Sequence, residues 1–314
     1  MAEFVELHAR SAFSFLRGSS HPEEMIRRAA QLGMGAMALP DRDGVYGSAR
    51  AHYAAEEIRN EQNQEIRALV GVEVTLEGEQ VVPLLVRTRQ GYRNLCQMLT
   101  KAKLRGLSEE TARAQPFLNP RKDGRVRFDE LEEFAEGLVA LTGDEDGLLR
   151  KALSRGDFSQ AEECLVSLIN IYGRKNVIAE VYRHGVRGEE WMNRHVIDLA
   201  EAHGVMVVCT NRPDFAIGQG RCVADAFTCL RNHVNLDGAG KLLARNAEAH
   251  LKGAKQMLEV FRDRLRRAFI CAPNFVAEMV RLIAAGLCAP WRLIADADVL
   301  RLDPFPLECW LNSI

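Results

Sequence analysis

Apolar residues along this chain fall into short runs that alternate between two periods. Runs rich in β-branched side chains cover residues 4–8, 36–39, 69–74, 81–86, 138–141, 177–181 and 205–209, and each is short enough for a buried strand. Between them lie stretches with apolar positions at helical spacing. One opens on Pro22 and closes before Gly33, and another runs from Trp191 to His203 and closes before Gly204. Proline at a first turn and glycine just past a last turn are the ordinary punctuation of helices, because proline forgoes an unneeded N–H and glycine takes the left-handed cap. Strand and helix in alternation predict β-α units around a parallel sheet, and a closed or nearly closed β/α barrel is preferred over an open doubly wound sheet.

Composition narrows the class. The 314 residues suffice for one large α/β domain or a domain with a subdomain, and 47% hydrophobic with 27% charged residues is ordinary for a globular chain. A formal net charge of -2 argues against a protein coated in basic residues. No run approaches the roughly 20 apolar residues a membrane span needs, and Glu3, Glu6 and His8 interrupt any signal-like start, so a cytoplasmic protein without membrane contact is expected. The eight cysteines include no C-x-x-C pair, which fits buried free thiols better than zinc or redox chemistry. Glycine-rich phosphate loops are absent, which removes P-loop NTPases and dinucleotide-binding enzymes.

Charge is segregated in the middle of the chain. Residues 87–127 carry eleven Lys or Arg against three acids, and residues 129–146 carry eight acids and no Lys or Arg. A solvated face is the ordinary reading of such a stretch; Lys101, Lys103 and Arg105 are its candidates for contact with DNA phosphates.

Six motifs carry the chemistry: Glu6-Leu-His-Ala-Arg-Ser-Ala-Phe-Ser-Phe-Leu-Arg-Gly18, Ala38-Leu-Pro-Asp-Arg-Asp-Gly-Val-Tyr-Gly47, Val70-Gly-Val-Glu73, Gly91-Tyr-Arg-Asn-Leu-Cys96, Glu180-Val-Tyr-Arg-His184-Gly and Cys209-Thr-Asn-Arg-Pro-Asp214. Most follow a predicted strand, where β/α barrels place their functional groups. In order and spacing they resemble the PHP domain at the front of bacterial C-family DNA polymerases, the DNA polymerase III alpha subunits. The stretch 226–252 resembles the error-prone branch. The resemblance runs from about Glu3 to about Asp263. It implies an α/β fold, a PHP-type (β/α)7 barrel over residues 1–220, followed by a helical segment over 221–263 that corresponds to the connection toward a palm domain. The remaining 264–314 diverge, as a frameshifted or truncated tail would.

The resemblance also implies a cluster of His, Asp and Glu ligands holding divalent metals for phosphoester hydrolysis, and here the departures dominate. His8, Glu73 and His184 keep ligand positions, with Asp214 as a substitute oxygen donor. Arg10, Arg17, Arg42 and Arg212 stand where ligands are expected, and Val81 replaces a histidine. Asp41 remains behind the ligands. A guanidinium stays protonated and has no lone pair to offer, so it repels a metal instead of binding it. The expectation is a metal-free structural site in which these arginines pair with Glu73, Asp41, Asp43 or Asp214; the alternative is one residual Zn or Mn ion. Glu180 and Tyr182 are read as packing and orienting residues. The other histidines are read as surface or capping residues, and a Ser11–His8–Asp41 nucleophilic trio is discounted because nothing places the serine on a nucleophile elbow.

Three functions follow: a non-catalytic scaffold within an error-prone polymerase, partnered by the rest of that polymerase or by repair proteins; a standalone metal-dependent phosphoesterase or 3'-5' exonuclease; and a pseudoenzyme that acts as a binding module. The loss of most ligands favours the first.

Overall fold

The computed structural model describes residues 4–105 and 124–262. Six strands, β1 (Ala36–Arg42), β2 (Arg67–Thr75), β3 (Val81–Val86), β4 (Leu138–Leu141), β5 (Val177–Val181) and β6 (Met206–Cys209), form one curled sheet in sequence order. Helices flank it: α1 (Pro22–Gln31), α2 (Ser48–Gln62), α3 (Arg89–Leu104), α4 (Phe128–Glu133), α5 (Leu148–Ser154), α6 (Phe158–Tyr172), α7 (Glu189–His203), α8 (Arg221–Asn232), α9 (Leu236–Ala239) and α10 (Ala254–Val260). The divergent tail expected at 264–314 lies outside the described residues, as do Arg113, Arg121 and Lys122 of the basic stretch.

The sheet is mixed, which corrects the expectation of a parallel one. β1–β2, β4–β5 and β5–β6 pair in parallel, but β3 runs antiparallel to both β2 and β4. The reason is the length of the connection between Thr75 and Val81. Its few residues close a tight turn through Glu77 and Gly78, whereas a parallel return needs a crossover of a dozen residues or more. β3 is nevertheless buried along its whole length, with α3 packed against it.

The run expected at 4–8 is not a regular strand. It pairs with β1 only through a parallel bridge between Glu6 and Met37 and a hydrogen bond from Ala38 N to Glu6 O of 2.8 Å. Its other side is tied to the chain beyond β6, where Asn211 N donates to Glu6 Oε2 at 2.7 Å and Arg10 N donates to Pro213 O at 2.9 Å. The segment is thus shared between β1 and the β6 exit, with a side chain serving as one of the acceptors, which explains why its ladder is incomplete.

Two glycines set how closely α3 approaches β4. Gly137 has φ of +77°, and an ideal Cβ on Gly91 would lie 2.0 Å from Gly137 O, so a side chain at either position would force the helix away. Thr88 caps this helix by accepting from Gly91 N. The apolar core is continuous from Phe4 through Phe261. The chain after α9 returns to the body: Asp214 N donates to Ala249 O at 2.9 Å, Leu251 N to Phe215 O at 3.1 Å, and Asn246 Nδ2 to His184 O at 2.7 Å. Among the described residues no helix is long and apolar enough to cross a membrane.

Candidate functional site

The C-terminal ends of the parallel strands and the loop 6–18 converge on one buried polar centre. β1 delivers Asp41 and Arg42, β2 delivers Glu73 in register with Arg42, the exit of β4 delivers Asp144, β5 delivers Glu180, and the exit of β6 delivers Thr210, Arg212 and Asp214. His8 sits at the middle with no solvent exposure.

Both His8 ring nitrogens face carboxylates. Nε2 is 2.7 Å from Glu73 Oε1, and Nδ1 is 2.8 Å from Glu180 Oε2. A neutral imidazole has only one N–H, so an arrangement with two carboxylate acceptors selects the imidazolium. Burial works against that charge, but Glu180 and then Glu73 outweigh it and lift His8 from 6.5 to about 10. Glu180 is itself oriented by Thr210, whose hydroxyl donates to Oε1 at 2.5 Å.

Arg10 occupies the adjacent ligand position. Its side chain is almost wholly buried and reaches three carboxylates: Glu73, through Nε at 2.9 Å and a terminal nitrogen at 2.5 Å, Asp144, and Asp214 at 3.2 Å. Arg42 Nε donates to the other oxygen of Glu73 at 2.6 Å and its terminal nitrogen to Asp146 at 3.0 Å. Arg212 bridges Asp144 and Glu145, each at 3.1 Å, and lies 3.4 Å from Asp214. Arg17, at the rim, meets Asp146 at 3.2 Å.

Charge compensation decides protonation here. Burial alone would raise Glu73 and Asp144, but Arg10 and Arg42 hold Glu73, and Arg10 and Arg212 hold Asp144, well below the usual carboxylate range. Arg212 holds its place in the left-handed region, at φ of +44°, a conformation that costs a non-glycine residue energy and persists because its charged fork is fixed on three carboxylates.

The predicted residues do not all meet. His8, Glu73, Arg10, Arg42 and Arg212 do, with Asp214 at the edge. His184 turns away: its Nε2 is 2.7 Å from Asn211 O, which makes Nε2 the donor, and burial followed by the nearby Arg212 charge pushes it down to about 4. Val81 lines the start of β3 as an apolar core residue. The expected pairing of arginine with Asp41 and Asp43 does not occur. Asp41 accepts from Ser11 N at 2.7 Å and from the Ser11 and Ser14 hydroxyls at 2.6 Å, and Asp43 accepts from Thr75 N at 2.7 Å and its hydroxyl at 2.8 Å. Ser11 therefore serves Asp41, and the trio with His8 is not assembled.

Asp144, Glu145 and Asp146 replace Asp41 and Asp43 as arginine partners. They belong to the acidic block that follows the β4 apolar run, and their position after a strand was a signal that could have found them. Glu180, read from the sequence as an orienting residue, is the Nδ1 partner of His8, and Glu6, quoted in the first motif without a role, accepts from His8 N at 3.0 Å.

A divalent cation does not fit this donor set. Such an ion needs lone pairs, yet both nitrogens of His8 bear protons toward carboxylates and both oxygens of Glu73 accept from cations. Among the described residues no group of three or more His, Cys, Asp or Glu is placed to hold a metal.

The basic stretch is also partnered. Lys101 Nζ lies 2.5 Å from Glu133 and Arg105 lies 2.5 Å from Glu130, so part of the basic block pairs with the acidic block, while Arg127 lies 3.2 Å from Glu77 in the turn between β2 and β3. Lys103 differs: it lies over the Tyr46 ring, 4.5 Å from the centroid.

The chain belongs to the PHP domain family, whose domain matches residues 6–184 and so includes His8, Arg10, Arg42, Glu73, Asp144 and Glu180 of this centre. It is homologous to the N-terminal region of error-prone DNA polymerases. The chain is 34% identical over 331 residues to an error-prone DNA polymerase of Mycobacterium bovis, an alignment that includes 99% of this chain and 27% of the relative. To an error-prone DNA polymerase of Anaeromyxobacter it is 33% identical over 267 residues, with 83% of this chain and 21% of the relative covered. The chain thus spans about a quarter of the length of these relatives. A solved structure described as a metal-dependent phosphoesterase from Bifidobacterium adolescentis superposes with a TM-score of 0.44 at 16% identity, covering 83% of this chain and 96% of that one.

Proposed function

We propose that this chain acts as the non-catalytic PHP portion of an error-prone DNA polymerase, in which arginine–carboxylate pairing replaces resident metal. In this reading its strands and the 4–10 segment make up a PHP-type (β/α)7 barrel over residues 1–220, with 221–263 as the helical connection, and its partner is the remainder of a C-family polymerase engaged in repair synthesis in the cytoplasm. The observation that carries the reading is Arg10, a permanent cation placed among Glu73, Asp144 and Asp214 where the family's chemistry calls for a metal ligand. The alternative, a phosphoesterase with one Zn or Mn ion on His8, Glu73, His184 and Asp214, requires His8 to lose a proton that two carboxylates stabilise.

The test is elemental analysis of the purified chain together with hydrolysis of bis(p-nitrophenyl) phosphate in manganese. Metal far below one equivalent and no turnover are expected. Stoichiometric metal with turnover abolished by His8→Ala would overturn the proposal.

A further inference from the structure

Helix α8 (Arg221–Asn232) carries its apolar side outward. Val223, Ala226, Phe227 and Leu230 recur at three- and four-residue spacing, which puts them on one side of the helix. Val223 is 44% and Leu230 60% exposed, Ala226 is exposed, and Phe227 is partly buried. The opposite side is the more covered one, although it is mostly polar. There Asp225 is 16% exposed and pairs with Arg221 at 3.3 Å, Thr228 is partly buried, and Cys229 is buried. A surface helix ordinarily buries its apolar stripe and wets its polar one, so this inversion marks a face that needs a cover.

The helix is pinned at both ends. Ser19 donates to Gly220 O at 2.9 Å just before it, and Arg231 in its last turn donates to Leu16 O at 3.0 Å. Both bonds would have to break for the stripe to turn inward. A cover is available in the same chain. α10 ends at Val260, Phe261 is buried, and residues 263–314 follow. Among them Phe275, Met279, Leu282 and Ile283 recur at helical spacing, with Glu278 and Arg281 on the opposite arc of the same pattern.

Size decides between this segment and a separate partner. A stable interface between two proteins buries more than about 1,000 Å², which four side chains, one of them an alanine, do not offer. A covalently joined segment acts at an effective concentration in the millimolar range, so a small stripe suffices for it. The stretch 263–274 spans up to about 40 Å when extended, enough to bring the two apolar stripes together across a domain of this size. We propose that residues 275–283 of this chain dock on the outward face of α8 formed by Val223, Ala226, Phe227 and Leu230. Glu278 and Arg281 then face water.

Cys222, one turn before Ala226 and exposed among the described residues, reports whether the face is covered. The full chain is treated with iodoacetamide and the alkylated peptides are followed by mass spectrometry. Cys222 is expected to react at least about tenfold faster in the double variant Met279→Asp, Leu282→Asp than in the wild-type chain, because the docked segment must open before the thiol is reached. Buried Cys229 should stay unreactive in both, which shows that the body remains folded. The reciprocal variant is Leu230→Asp, whose side chain points outward, so the melting temperature should hold while trypsin cuts after Arg281 about fivefold faster or more. Equal Cys222 reactivity in wild type and double variant, or unchanged cleavage after Arg281 in Leu230→Asp, would each overturn the proposal. Light scattering should give a monomer mass at every concentration; a dimer whose dissociation on dilution frees Cys222 would overturn it in favour of a second copy as the cover. None of these readouts depends on whether the strand-end centre holds metal.

Discussion

Two arginine-rich regions of this molecule use the same side chains to opposite ends. At the strand ends, buried Arg10 and Arg212 and the partly buried Arg42 meet Glu73, Asp144, Asp146 and Asp214 in one network around His8. Around α3 and α4, Lys101 and Arg105 meet Glu133 and the buried Glu130, and Arg127 meets Glu77 of the turn between β2 and β3. Pair distances are alike, so geometry does not separate the regions. Burial does. A charge without solvent that loses its partner has nothing to replace it, whereas a surface charge is rehydrated at once. The centre is therefore an interdependent unit, whereas the pairs exposed on both sides, Lys101–Glu133 and Arg127–Glu77, are individually dispensable.

The comparison is sharpest at Arg10. Arg10→Met should lower the unfolding free energy by about 3–5 kcal/mol, because Glu73 and Asp144 stay buried with less compensation. Adding Asp144→Asn should restore part of that loss, with a coupling of at least about 1 kcal/mol in a double-mutant cycle measured by urea denaturation. Additive losses would break the claim that the centre is one unit.

pH separates the regions next. Glu73 and Asp144 titrate below their ordinary values of 4.5 and 3.8, so their stabilisation is complete above those values and is lost as pH falls through the depressed folded ones. His8 is raised from 6.5 to about 10, so its stabilisation is complete below 6.5 and is lost as pH climbs toward 10. Burial also lifts Glu6 from 4.5 to about 7, which adds a loss over that lower window. Melting temperature should therefore decline steadily on the alkaline side, and His8→Gln should flatten the decline between 6.5 and 10 while lowering the whole curve. Arg42→Lys comes after these in size. It keeps a charge near Glu73 but cannot span both Glu73 and Asp146 with a planar fork, and a loss of about 1 kcal/mol is expected by denaturation.

Much of this arrangement was legible in the chain before any coordinates. The runs at 36–39, 69–74, 81–86, 138–141, 177–181 and 205–209 coincide with β1 to β6 to within a few residues, because each is a short apolar segment ended by a turn residue or by the polar group it carries to the site. The direction of β3 was missed for a physical reason: apolar periodicity reports burial and not polarity of pairing, and only the length of the Thr75-to-Val81 connection held that information. At the centre, the resemblance to the PHP domain put Arg10, Arg42 and Arg212 at ligand positions but could not choose their partners. Asp41 and Asp43 are adjacent to Arg42 in sequence, yet local hydroxyl and amide donors from Ser11, Ser14 and Thr75 satisfy them first. Their arginines were left to acids far along the chain, such as Asp144, which lies 134 residues from Arg10.

The smallest effect tests the comparison from its other side. Lys101 is half-exposed, and its ammonium has Glu133 at 2.5 Å, Glu130 at 3.6 Å and the Phe134 ring at 5.5 Å. By distance alone this pair rivals any at the strand ends. When the side chain is removed, water replaces it at the exposed Glu133 and Arg105 still holds the buried Glu130, and the entropy of holding two long side chains together is regained. Lys101→Ala should accordingly leave the urea midpoint where it was, at low salt and at high salt alike. A midpoint drop comparable to that of Arg42→Lys would mean that the α3–α4 pairs are also a cooperative network, and the contrast drawn from burial would no longer hold.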